Sequence, residues 1–316
     1  MKINKLLLLG LIMLTSCNST GHKPKYNNFK NDLDRENLEG KVLSLEKYKI
    51  IVSDSKTETT NNPTKELVME FTETGNLSGM KKYDVFGKLI YSAQNIYNKK
   101  RLKIKGFTED LNIDSRYSRS VEKYVYKNDK LSSAKIFVND TLKYISYFEY
   151  DKSGHLTKQL GIQNNDTTLN KLTYIFDKHG NEISQKNIQT TRNKKYEYVN
   201  TYKFDNKNNI IETNSDFDVF GTSKNVNVYD SKNRIEKSTQ YKDKLIEKDI
   251  IYDKFYDETL ISFYRNGSLE RELKYEYEFD KKGNWIKRKA YVKNCSTHSE
   301  EFKLAFIETR KIVYYE

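Results

Sequence analysis

The segment Leu273–Tyr291 reads "LKYEYEFDKKGNWIKRKAY", and its middle, an aromatic residue followed by Asp-x-x-Gly-x-apolar, decides the fold. Aromatic side chains alternate with charged ones before the turn, which is typical of a strand with one buried face. Asp280 to Gly283 fits a type I turn, because Asp accepts hydrogen bonds from the backbone ahead of it and Gly tolerates positive φ. We therefore predict a hairpin with a Gly bulge, in which Phe279 lies opposite Trp285.

Variants of this unit recur along the chain. Where Gly is lost, Asn208 and Asn233 take its place, and Asn tolerates a left-handed backbone best after Gly. The later copies lie about 25 residues apart, a spacing that suits one two-stranded hairpin per unit. The turn residues predicted in this way are Asp84, Gly87, Asp151, Gly154, Asp177, Gly180, Asp205, Asn208, Asp230, Asn233, Asp280 and Gly283.

The pattern resembles the YD repeats of Rhs-type bacterial surface proteins, in the divergent form found in small lipoproteins of the Bacteroidetes group. The resemblance covers Lys41–Glu316, and the ending "FIETRKIVYYE" is similar to the terminal strand usual in that group. It implies an all-β fold, an elongated antiparallel β-meander built from repeated hairpins. Large Rhs proteins wind such repeats into a shell around a toxin, but this chain is far shorter and has no recognisable autoproteolytic motif. Encapsulation is therefore not expected.

The N-terminus has the features of a bacterial lipoprotein signal. Two lysines precede an apolar stretch too short to span a bilayer, and Leu14-Thr15-Ser16-Cys17 resembles a lipobox, in which the Cys becomes the acylated first residue. Asn18 follows, whereas Asp at this position favours the inner membrane in that family, so we expect anchoring at the outer membrane, on its periplasmic or cell-surface side. The predicted divisions are a signal peptide (1–16), a polar tether (17–40) that starts at the lipidated Cys17, and a β-hairpin repeat domain (41–316).

Composition and motifs exclude several classes of function. The net charge is +12, but the lysines are interspersed with Asp and Glu, which predicts a mixed-charge surface and no nucleic-acid partner. The four His residues lie in no metal-binding spacing, and no nucleotide-binding or nucleophile motif occurs, so we expect no metal, no cofactor and no enzymatic activity. Beyond Cys17 only Cys295 remains, which excludes an internal disulfide.

These observations predict a lipid-anchored, non-catalytic binding or scaffolding module of the cell envelope, whose further partner is an envelope protein or a glycan. The alternative is a carbohydrate- or peptidoglycan-binding lipoprotein that stacks sugars on an aromatic sheet face formed by Tyr275, Tyr277, Phe279 and Trp285. An enzyme with a site assembled from distant loops is a third class that no motif supports. An aromatic stripe open to solvent would favour sugar binding, and a covered stripe would favour scaffolding.

Overall fold

The computed structural model describes residues 31–52, 62–111, 118–163, 166–192, 194–217, 221–297 and 301–316. The predicted signal peptide, Cys17 and the tether up to residue 30 lie outside the described residues. Within the described part, one short helix, α1 (Asp32–Arg35), precedes twenty strands, and a 3-10 turn (Cys295–Thr297) precedes the last of them. No helix in these ranges is long and apolar enough to cross a membrane.

The strands are short and follow one another closely. The first ten are β1 (Val42–Ile51), β2 (Thr64–Phe71), β3 (Leu77–Tyr83), β4 (Leu89–Tyr97), β5 (Lys103–Asp110), β6 (Ser118–Lys127), β7 (Lys130–Val138), β8 (Thr141–Tyr150), β9 (Leu156–Gln163) and β10 (Asp166–Phe176). The second ten are β11 (Glu182–Thr191), β12 (Lys194–Phe204), β13 (Ile210–Phe217), β14 (Gly221–Tyr229), β15 (Ile235–Lys242), β16 (Leu245–Tyr252), β17 (Glu258–Arg265), β18 (Ser268–Phe279), β19 (Trp285–Asn294) and β20 (Lys303–Tyr314).

The sheet closes into a barrel. Every strand pairs antiparallel with its neighbours in sequence, and β1 also pairs with β20, with Leu45 opposite Ile312. The all-β antiparallel fold was predicted, but the expectation of an open, elongated meander is wrong. Closure pairs the two edges that an open sheet would expose, and these two strands are too far apart in sequence for any local pattern to show that they meet.

The hairpins have the register that the repeat predicts. Phe279 lies opposite Trp285, and the register shifts by one residue next to that pair, as in a bulge. Similar shifts occur beside the corresponding turns of the other repeat copies. The backbone is left-handed, with φ between 63 and 97°, at Gly87, Gly154, Gly180, Asn208, Asn233 and Gly283.

The two ends of the barrel differ. At one end, which we call the Asp end, the turns follow the even-numbered strands, and most of these are five-residue turns that begin with Asp. The opposite end carries mainly two-residue turns and longer loops, together with the Asp84 turn that follows β3. The Asp turns at the Asp end start at Asp151, Asp177, Asp205, Asp230, Asp253 and Asp280.

Apolar burial is confined to one face of the sheet. Tyr275 lies opposite Ala290, and Ile250 lies opposite Ile261, on the same face as the rest of the buried apolar strand residues. Side chains crowd one another on the concave side of a closed barrel, so we assign this face to the lumen and call it the inner wall. The opposite face alternates charged residues with exposed aliphatic ones.

Residues 31–40 belong to the folded body, although the sequence assigned them to the tether. Leu33 and Leu38 are buried in a cluster with Leu45 and Met69 of the inner wall. The Leu33 N–H donates to the Gly75 carbonyl, 3.1 Å away, in a turn at the Asp end. Two isolated leucines in a polar stretch give no periodic pattern, so only the packing shows that the segment is ordered.

Candidate functional site at the Asp end and the inner wall

The repeat Asp residues cap their own turns. Asp280 Oδ1 accepts hydrogen bonds from the N–H groups of Lys282 and Asn284, at 2.9 and 3.0 Å, and the Gly283 N–H donates to the Asp280 carbonyl at 3.2 Å. The same two-bond cap recurs at Asp84, Asp177, Asp205, Asp230 and Asp253. These carboxylates are engaged by backbone, and among the described residues no group of three His, Cys, Asp or Glu could hold a metal ion.

Side chains at the fifth position of the Asp turns link neighbouring turns. Asn181 donates to Asp177 of its own turn and to Asn208 of the next, and Asn209 repeats both bonds with Asp205 and Asn233. In the following turn, the Arg234 guanidinium takes the place of the amide. It donates to Asp230 and to the Lys254 carbonyl of the next turn, and its hydrogen bond lowers the pKa of Asp230. We call this series of bonds the turn ladder.

The turn ladder breaks at Asp257, where the fifth position holds an acid. Burial and the nearby charge of Asp253 raise the pKa of Asp257 to about 6. Asn37, from the N-terminal segment, donates to the Phe255 carbonyl at 2.9 Å and to Asp257 Oδ1 at 3.4 Å. The adjacent Tyr256 has φ of 66°, a left-handed conformation that is strained for a bulky residue.

The N-terminal segment also occupies the next turn. Asn284 donates to the Glu39 carbonyl at 2.9 Å and accepts from the Glu39 N–H at 2.7 Å. Between this contact and the Asp257 turn lies a shallow groove of about 270 Å³, lined in part by Phe255 and the two basic residues Lys254 and Lys282. The segment thus substitutes for the ladder bonds that the last two turns lack.

Tyrosines form a second series of links at the Asp end. The Tyr277 hydroxyl donates to the Glu258 carbonyl at 2.7 Å, and Tyr229 donates to the Ile210 carbonyl at 3.1 Å. In each case the acceptor is the first residue of the preceding odd-numbered strand. The remaining pairs of this kind are Tyr97 with Leu77, Tyr126 with Lys103, and Tyr174 with Leu156.

The predicted aromatic ligand face is covered at Trp285 and Tyr275 and half-buried at Tyr277 and Phe279. Trp285 is only 4% exposed and Tyr275 only 9%. The Arg310 guanidinium lies 3.5 Å from the centroid of the Trp285 ring, and Arg288 lies 4.9 Å from it. Tyr277 completes the packing, with its ring 6.2 Å from the indole. The structure brings the four predicted residues together, with Phe279 opposite Trp285, but leaves little of the indole free to stack on a sugar.

The arginines over the indole form a charged cluster that the sequence did not indicate. Burial disfavours the charged form of Glu308, but its hydrogen bond to Arg288 and the charges of Arg288 and Lys47 outweigh burial and lower its pKa. Burial and the charge of Arg288 lower the pKa of Arg310 to about 10. Arg288, Glu308 and Arg310 lie on the neighbouring strands β19 and β20. Lys47 joins them from β1, so closure of the barrel completes the cluster.

On the central part of β10 to β15 most inner-wall side chains are polar and uncharged, with the buried Leu172 as an apolar exception. The side chains that form this polar belt are Asn170, Gln185, Asn187, Gln189, Tyr198, Asn200, Thr213, Ser215, Asn225, Ser238 and Gln240. Among the described residues on this face of β10 to β15, charged groups lie only towards the strand ends: Asp166, Glu182, Lys194 and Lys242. In the sequence the belt is visible as amides at every second position in β11, a pattern that belongs to none of the catalytic or metal-binding motifs.

The outer surface near the Asp end is basic and aliphatic. The middle positions of the turns carry exposed cations, and an incomplete ring of exposed aliphatic residues, the outer girdle, lies next to them. The exposed lysines are Lys99, Lys100, Lys152, Lys178, Lys207, Lys232, Lys254, Lys281 and Lys282. The outer girdle comprises Leu43, Ile96, Ile104, Val125, Ile175, Val228, Ile251, Ile286 and Val313.

No family model and no curated protein matches the chain. Among solved structures, the chain is similar to a porin-like protein from Bacteroides uniformis ATCC 8492, with a TM-score of 0.38 and 13% identity over 87% of this chain and 99% of that one. It is also similar to part of the Photorhabdus luminescens Tc holotoxin pore, with a TM-score of 0.25 and 9% identity over 75% of this chain and 18% of that one. At these TM-scores the likeness says nothing about what the chain binds.

Proposed function

We propose that the chain is a lipid-anchored, non-catalytic binding or scaffolding module of the outer membrane, and that the Asp end of its barrel faces the lipid. The proposed orientation rests on the place where the N-terminal segment reaches the barrel. Asn31 donates to the Thr74 carbonyl at 2.9 Å, in a turn at the Asp end. Residues 18–30 separate it from Cys17, so the connection from the anchor meets the barrel first at the Asp end and spans at most about 45 Å.

The surface chemistry of the Asp end supports the same orientation. Exposed lysines suit the phosphate groups of a phospholipid leaflet, and the aliphatic outer girdle suits the boundary between head groups and acyl chains. The covered state of Trp285 supports a scaffold over the alternative in which sugars stack on the aromatic face. The turn carboxylates support a non-catalytic role, because backbone N–H groups already occupy them.

The two ends of β8 offer a matched pair of labelling sites for testing this orientation. Ser153 is exposed in the Asp turn that follows β8, and Thr141 is exposed where β8 begins, at the opposite end. The lipidated chain, with Cys295→Ser and either Ser153→Cys or Thr141→Cys, is labelled with a fluorophore and reconstituted in phosphatidylethanolamine and phosphatidylglycerol vesicles.

Nitroxide lipids should quench a label at residue 153 strongly and a label at residue 141 weakly. Equal quenching, or stronger quenching at 141, would show that the Asp end does not face the membrane. Cys17→Ala tests the anchor separately, because it should move the protein from the membrane fraction to the soluble fraction. An unprocessed Met1 on the mature wild-type protein would exclude lipidation.

A further inference from the structure

We propose that the polar belt of the inner wall is a binding site for a neutral oligosaccharide, centred on Asn187, Tyr198 and Phe217. This inference deepens the proposed binding role by giving it a ligand class. The three residues lie opposite one another on β11, β12 and β13, since Asn187 pairs with Tyr198, and Tyr198 pairs with Phe217.

The site combines ring faces with uncharged hydrogen-bonding groups. The Tyr198 and Phe217 rings lie 5.8 Å apart in an edge-to-face arrangement. Around them stand the amides of Gln185, Gln189 and Asn200. An amide offers both a donor and an acceptor, which matches the dual character of sugar hydroxyls, and an aromatic ring offers a flat apolar surface to a pyranose.

Part of the belt is paired, since Tyr198 donates to Gln189 Oε1 at 3.2 Å and Ser238 donates to Asn225 Oδ1 at 2.8 Å. The amides around Asn187 are less well satisfied, with Asn187 Nδ2 at 3.4 Å from Asn170 Oδ1, and Asn200 Nδ2 at 3.3 Å from Gln185 Oε1. The Oδ1 atom of Asn187 is enclosed and has no hydrogen-bond partner among the described residues. Buried polar groups in a purely structural role are normally paired, so these amides have bonding capacity left for a ligand.

The chemistry of the wall argues against a polyanion and against a peptide that binds by strand addition. A polyanion needs cations, and the central part of this face carries no charged side chain among the described residues. An extended peptide binds by adding a strand to a free sheet edge, and the closed barrel has none. Six neighbouring strands about 4.8 Å apart give the belt a width of about 24 Å, which is enough for several linked sugar residues.

The test measures binding of four neutral tetrasaccharides, chitotetraose, cellotetraose, maltotetraose and mannotetraose, to the full chain by calorimetry in a detergent without a sugar head group. We expect saturable binding of at least one of them. Asn187→Ala and Tyr198→Leu should each weaken that binding by at least about tenfold, because they remove a hydrogen-bonding group and the ring platform. Tyr198→Phe should retain most of the affinity, because the ring remains.

Asn214→Ala is the matched control, since this amide lies on the outer face of β13 and bonds to Glu212 there. It should leave binding unchanged, and thermal unfolding shows which variants are folded. If Asn187→Ala does not fold, Gln189→Ala replaces it. Binding of none of the tetrasaccharides, or binding that folded belt variants leave unchanged, would overturn the site. Either result would leave the quenching test of membrane orientation unaffected.

Discussion

Asp257 is the residue at which the repeat departs most from its own rules. The fifth position of comparable turns holds Asn181 or Asn209, whose amide donates to the Asp that opens the turn. A carboxylate cannot donate in this way, and it adds a second negative charge beside Asp253. Its pKa is raised to about 6 by burial and by that charge. Folding therefore disfavours the ionised form of Asp257.

Asp257→Asn should stabilise the protein by about 1–3 kcal/mol at pH 8. The Asp257 carboxyl binds its proton more tightly in the folded state than in the unfolded state. The resulting loss in the free energy of unfolding is therefore absent below the pKa of an unfolded Asp, near 4. It grows as pH rises towards 6 and stays constant above that. Urea unfolding at pH 4.5 and pH 8 should show a small gain at the lower pH and the full gain at the higher. A gain independent of pH would contradict this explanation.

Asp230→Asn is a control for which we expect a change in stability of the opposite sign. The hydrogen bond from Arg234 lowers the pKa of Asp230, so its ionised form favours folding. That stability is present above the pKa of an unfolded Asp and is lost as pH falls through the lower, folded value. The substitution should therefore destabilise the protein at pH 8 and have little effect once the carboxyl is protonated.

At the scale of the hairpin, stability depends on bonds between consecutive units as much as on the turn inside each unit. Tyr277 lies on β18, but its hydroxyl donates to the carbonyl of Glu258, the first residue of β17, which directly follows the Asp253 turn. The bond joins the ends of two hairpins and gives a partner to a backbone carbonyl beside the bulge between β16 and β17. The tyrosine content of the chain thus has a structural use beyond apolar burial.

Tyr277→Phe should cost about 1 kcal/mol, the usual net value of one such hydrogen bond, while leaving the ring packing intact. Chemical denaturation of the wild type and the variant measures the loss. Tyr291→Phe serves as the matched control, because its hydroxyl bonds to an exposed glutamate on the outer face. A similar loss in both variants would mean that the interunit bond has no special weight.

The hairpins were predictable from the sequence because their determinants are local. The Asp that caps a turn and the Gly or Asn that takes positive φ lie within five residues, so their spacing fixed the register of Phe279 and Trp285. The inner-wall cluster of Arg288, Glu308 and Arg310 was not predictable, because the segment between β19 and β20 contains no repeat turn, so no local pattern sets the register that brings these side chains together. The polar belt was hidden for a different reason: Asn and Gln are common at surfaces, and only closure places them inside.

At the scale of the whole molecule, closure puts the ends of the described chain side by side. The Tyr315 N–H donates to the Lys41 carbonyl at 2.9 Å, and the β1–β20 pair runs the length of both strands. A barrel closed in this way has no unique starting strand, since each strand has two neighbours whichever one is made first.

A circular permutant that joins Glu316 to Asn31 through a flexible linker, with new ends in the Asn266–Gly267 turn, should keep the barrel. A β-sheet spectrum in far-ultraviolet circular dichroism and cooperative thermal unfolding would show that the barrel is retained. Deleting β20 (Lys303–Tyr314) should be far more damaging, because it opens two strand edges and leaves Arg288 without Glu308. A permutant that unfolds as readily as the deletion would show that strand order, and not closure, maintains the fold.

The turn ladder and the tyrosine bonds join each hairpin only to the next one along. A gene duplication that copied one unit of two strands would bring the chain back to the same end of the barrel. The added unit could form the same turn-ladder and tyrosine bonds with the units on either side of it. The barrel could then gain or lose strands two at a time. Its circumference would depend on the number of copies, and the closing pair of β1 and β20 would stay unchanged. Relatives of different length would carry lumens of different width, and so admit ligands of different thickness, without any change in how a single unit folds.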